Sequence, residues 1–84
     1  MADIRSTMGA SRSTERFPLF ARAGRDAAAL WPHAKGVPMS ASEFRDLRLR
    51  NFLAGFGTLD DAASRAQAFN DAFALEIASQ QLTR

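Results

Sequence analysis

The sequence predicts an all-α chain of three helices behind an extended basic arm. Three observations carry that expectation: apolar residues recur at helical spacing in three segments, a helix-starting signature precedes each, and no segment shows the alternation of a half-buried strand. Residues 1–16 show no periodicity and are rich in Ser, Thr and Arg, so they read as the arm. Residues 17–84 read as one small helical domain.

The first helix is expected over about 18–31. Pro18 suits its opening position, where the backbone N–H has no intrahelical partner to lose. Stepping residues by 100° gathers Leu19, Ala23, Ala27, Leu30 and Trp31 into a narrow stripe, with Phe20 at its edge and Arg22, Arg25 and Asp26 turned away. Gly24 lies mid-helix at a cost of about 1 kcal/mol relative to Ala, so this helix must lean on tertiary packing. Pro32 closes it, and PHAKGVP, residues 32–38, reads as a loop.

Ser40 stands three residues before Glu43, the spacing at which each side chain satisfies a free N–H at the other's position. A second helix is therefore expected over about 41–55, ending at Gly55 to Gly57, where glycine can take a left-handed terminating conformation. Thr58 and Asp61 repeat the capping spacing, and the third helix, over about 59–81, has no internal Gly or Pro and many Ala.

Both later helices carry two apolar flanks. In the second, Leu49, Phe52, Leu53 and Phe56 share one arc, while Phe44 and Leu47 lie outside it beyond Arg48. In the third, Leu59, Ala62, Ala66, Phe69, Phe73 and Ile77 form one face, and Ala68, Ala72, Leu75 and Leu82 line nearly the opposite one. A three-helix unit can bury two flanks of each helix against two neighbours. The alternative is that one surplus flank, either Phe44 and Leu47 or Leu75 and Leu82, is left as a docking patch, because a chain of 84 residues has little interior to fill.

Charge is unevenly placed. Residues 1–50 hold nine bases against five acids, and residues 51–84 hold two bases against four acids. The two halves can neutralise each other across the fold, or the basic arm can serve an acidic partner.

Chemistry finds little support. With no Cys, thiol chemistry is excluded. His33 is the only histidine and sits in a turn without carboxylates beside it, so no metal or cofactor site is expected. Asp60 and Asp61 are explained by the favourable field at a helix start. The glycines of LAGFGT lack the preceding strand and following Lys-Ser/Thr of a phosphate loop. A DNA-reading helix-turn-helix would open its recognition helix with Leu59, Asp60 and Asp61, and those acids would repel phosphate.

A non-enzymatic protein is therefore expected, one that binds other proteins as an accessory or structural subunit of a larger assembly. The residues expected to carry binding are Arg5, Arg12 and Arg16 on the arm, Phe17 and Phe20 beside it, and Phe44, Leu47 and Arg48 on the second helix. One alternative is a nucleic-acid-associated protein whose Arg-rich arm follows the phosphate backbone. Another is a regulatory inhibitor that masks a partner's surface. Self-association is compatible with all three. No apolar run approaches the ~20 residues of a membrane span. The expected setting is intracellular, soluble or peripheral to a large complex, with cytoplasm and organelle equally open.

Overall fold

The structure, a computed structural model, describes residues 12–33, 36 and 38–82. Residues 12–16 are helical (α1), followed by α2 (Pro18–Leu30), a 3-10 turn (Trp31–His33), α3 (Ala41–Leu53) and α4 (Ala62–Leu82). Among the described residues the all-α class holds, with four α-helices rather than three. The difference lies in the expected arm, because residues 12–16 are helical instead of extended. Residues 1–11 of that arm lie outside the described residues.

Phe17 joins α1 to α2 in a non-helical conformation (φ −128°, ψ 71°) and lets Pro18 start α2. Its N–H donates to the Ser13 carbonyl at 3.2 Å, which closes α1, and its carbonyl accepts from Ala21 N–H at 3.0 Å, which opens α2. The chain reverses at this point. Ser13 Oγ donates to the Asp71 carboxylate, and Arg16 pairs with Asp61, so α1 runs back along α4.

The contacts also fix the directions of the longer helices. Gly24 meets Phe69, and Gln80 Nε2 donates to the Ala28 carbonyl at 3.0 Å, so α2 and α4 are parallel. Phe20 meets Phe56 while Trp31 meets Phe44, so α3 runs antiparallel to α2. The Cα atoms span 37 × 36 × 16 Å, a slab too thin for more than a shallow core.

That core departs from the expected stripe on the first helix. Its buried residues are Phe20, Ala21, Gly24, Ala27 and Ala28, whereas Leu19 is 58 % exposed and Leu30 44 % exposed. The stripe is rotated because α2 presses its smallest residues onto α4. A Cβ on Gly24 would lie 3.0 Å from the Phe69 carbonyl carbon and 3.1 Å from its Cα, inside normal carbon contact. Small residues allow backbones this close, so Gly24 is required by packing. On α4 the seam is completed by Ala68, Phe69, Ala72 and Phe73. Ala68 and Ala72 thus share the core with Phe69 and Phe73, while Leu75 and Leu82 of the same expected flank remain exposed.

Helix α3 starts as predicted. Ser40 Oγ accepts from Glu43 N–H at 3.1 Å, and Glu43 Oε1 accepts from Ser40 N–H at 3.2 Å. Its end does not follow expectation: neither Gly55 nor Gly57 has a positive φ, and the chain leaves through 3-10-type bonds from Gly55 N–H to Phe52 O and Phe56 N–H to Leu53 O. The turn residue with left-handed backbone is Asp61 (φ 56°), whose carbonyl accepts from Arg65 N–H. Helix α4 accordingly begins at Ala62, three residues later than the capping spacing suggests. Phe56 and Leu59 explain the delay, because both turn from the linker onto the core, with Phe56 stacked on Phe20 at 5.5 Å.

Candidate protein-binding site

The element that stands out is α3, because it contributes no fully buried residue. Its Phe44, Leu49, Phe52 and Leu53 rest half-buried against the cluster of Phe20, Ala27, Ala28, Ala68, Phe69 and Phe73. Phe52 is edge-on to Phe20 at 5.1 Å, and Phe44 tilts against Trp31 at 5.3 Å. These ring contacts hold α3 in place without closing over it.

An open groove of about 330 Å³ is left between α2 and α3. Ala27, Phe52 and Phe69 form its apolar floor, Ala23 and Asp26 belong to the α2 lip, and Arg48 and Asn51 to the α3 lip. Helical spacing extends both lips. Leu19 and Leu30 share the flank of Ala23 on α2, and Phe44 and Leu47 share that of Arg48 and Asn51 on α3. Leu47 is 38 % exposed, so by helical spacing three exposed leucines and the half-buried Phe44 share the flanks that line the groove. The polar lip groups have opposite signs, Asp26 on α2 and Arg48 on α3. Neither makes an ion pair among the described residues.

A second opening of about 290 Å³ lies on the other side of α3, against α4, with Ala41, Phe73 and Ile77 on its apolar wall. On α4 the amide oxygen of Asn70 is buried without a hydrogen-bond donor.

The residues expected to bind fall into three groups. Phe44, Leu47 and Arg48 come together on the α3 lip. Phe20 is 1 % exposed and belongs to the core, which removes it from any contact surface. Arg12, Arg16 and Phe17 meet Ser13, Ser64 and Gln67 around a separate hollow of about 370 Å³. The Phe17 ring is approached by two guanidinium groups, Arg16 at 5.0 Å and Arg65 at 4.9 Å from its centroid. Arg16 is also paired with Asp61 at 3.2 Å, and Arg65 Nε donates to the Asp60 carbonyl at 2.7 Å. Arg5 lies outside the described residues.

Sequence reasoning missed Arg65, whose role depends on α1 folding back. Of the expected stripe of Leu19, Ala23, Ala27, Leu30 and Trp31, Ala27 is buried and Ala23 packs against the core, whereas Leu19 and Leu30 are exposed. Their helical periodicity was the right signal for a shared apolar flank and said nothing about whether that flank is covered.

Among the described residues no group of three or more His, Asp or Glu side chains is placed to hold a metal ion. No described helix is long and apolar enough to cross a membrane. Comparison with family models, curated proteins and solved structures brings no match to this chain.

Proposed function

We propose that the protein is a non-enzymatic protein-binding protein, an accessory or structural subunit that joins a larger assembly through the face formed by α2 and α3. The observation that carries this reading is the exposure of Leu19, Leu30 and Leu47 on the flanks of α2 and α3 that also line an open groove over the half-buried Phe52. Exposed leucines gathered on two adjacent helix flanks are costly in water, and the cost is relieved when another apolar surface covers them. Arg48, Asp26 and Asn51 supply the polar rim that sets register and excludes wrong partners.

Binding of phosphate backbone through Arg5, Arg12 and Arg16 has less behind it. Arg16 is already paired with Asp61 and stacked on Phe17, so two opposing contacts draw on its charge. An inhibitor that masks a partner would use the same apolar face and differ only in the consequence of binding.

The test compares wild type with Leu47→Glu and Leu30→Glu after tagged recovery from native cells, with and without nuclease. The expected result is a stoichiometric protein partner that survives nuclease and is lost in both variants, while helical circular dichroism of the variants is unchanged. A partner retained equally by both variants, or lost on nuclease treatment, would overturn the reading.

A further inference from the structure

We infer that the surface covering the α2–α3 groove is the same face of a second copy of this chain, joined about a two-fold axis parallel to the helices. This rests on the reading of that face as a protein-binding surface and names its occupant. The charge pattern argues for it. Such an axis leaves heights along the helices unchanged and sets α2 of one copy opposite α3 of the other. Asp26 and Arg48 line the groove from opposite lips, and the contacts of Trp31 with Phe44 and of Phe20 with Phe52 bracket them at similar heights. Across the axis each therefore meets its opposite charge on the other copy, and the pair forms twice.

The apolar border obeys the same symmetry. Trp31 packs on Phe44 within one chain, which puts the end of α2 level with the start of α3. Leu30 of one copy is thereby carried onto Phe44 and Leu47 of the second. Topology agrees as well, because α3 is antiparallel to α2 within each chain and the axis makes every neighbouring pair antiparallel. At the interface α2 and α3 of the two copies thus form an antiparallel four-helix contact, with α4 of each copy behind it.

Size sets the strength to expect. Two 13-residue helices side by side, each about 20 Å long and ~10 Å wide, present a face of roughly 400 Å² in projection per copy. That falls at the small end of specific interfaces, so association should be in the micromolar range.

Sedimentation velocity of the purified full-length chain tests the inference. Wild type at about 100 μM should sediment as a dimer and dissociate on dilution toward 1 μM. Asp26→Arg and Arg48→Asp each place like charges at both reciprocal contacts, and each alone should weaken association at least tenfold. Mixing these two single variants in equal amounts should restore a dimer, because the mixed pair regains opposite charges on both sides of the axis. Both positions are exposed, so circular dichroism should show each variant folded.

Wild type that stays monomeric at 100 μM overturns the second copy as occupant. A dimer indifferent to both charge reversals overturns it equally. If monomeric wild type still recovers a partner from cells and Leu47→Glu does not, the protein-binding reading survives and only the identity of the occupant falls. If neither assay responds to the face, both fall.

Discussion

Replacing Gly24 with alanine separates two arguments that predict opposite signs. Helix propensity says that the change should stabilise α2 by about 1 kcal/mol, since glycine is the poorer helix former. Packing says otherwise. The new methyl would press into the Phe69 carbonyl oxygen, with the carbonyl carbon at 3.0 Å and Cα at 3.1 Å. Carbon atoms in contact prefer roughly 3.5–4.0 Å, so α2 and α4 must part by about 0.5–1 Å at this level. The obstacle is backbone within a helix, which cannot rotate aside as a side chain would. Parting the helices also loosens Ala21, Ala28, Ala68 and Ala72, which fill the same seam, and overpacking of this kind costs about 1–3 kcal/mol. The net expectation is destabilisation by up to about 2 kcal/mol, a large fraction of the few kcal/mol that hold a chain of this size. Urea unfolding followed by circular dichroism should show a lower midpoint. Thermal unfolding should fall by about 4–8 °C for each kcal/mol lost. Ala29→Gly, on the exposed side of the same helix, measures the propensity effect alone and should cost about 1 kcal/mol. A Gly24→Ala protein more stable than wild type would refute the close seam and leave propensity in command of α2.

Two further perturbations probe how α3 is held. Ser40→Ala removes one half of a reciprocal cap and should cost about 1 kcal/mol, read as a drop in amide protection that is larger in α3 than in α2 or α4. Asn70→Leu replaces a buried, undonated amide oxygen by an apolar side chain of similar volume, and should raise the urea midpoint by an amount corresponding to about 1 kcal/mol.

Much of the architecture was legible because its signals are local. The Ser40–Glu43 box, Pro18 at a helix start and the uninterrupted alanine-rich segment each act within a few residues, and the helices they announce are present. What could not be read was relative rotation. The stripe of Leu19, Ala23, Ala27 and Leu30 is a genuine apolar flank, yet the side of α2 that packs best on α4 is the side with Gly24. Periodicity ranks faces by hydrophobicity, whereas the approach of two backbones is ruled by size, and the two criteria choose different faces here. The helical state of residues 12–16 escaped for a similar reason. Serine and arginine there gain partners, Asp71 and Asp61, from residues more than forty positions away.

The candidate site follows from that same choice of face. A seam made of glycine and alanine brings α2 and α4 together over short side chains, so it builds a stable pair while enclosing little volume. The bulky residues are then left to cover what remains: Phe20, Phe69 and Phe73 are spent inside, and α3 offers only half-buried contacts over them. Had α2 turned Leu19 and Leu30 inward, the helices would stand farther apart and α3 could sink between them, closing the groove. The exposed leucines and the undersized seam are consequently one feature seen from two sides. For this reason the Gly24 experiment bears on function as well as stability: a substitution that forces α2 and α4 apart should also disturb the level match between Asp26 and Arg48, and weaken whatever the groove holds.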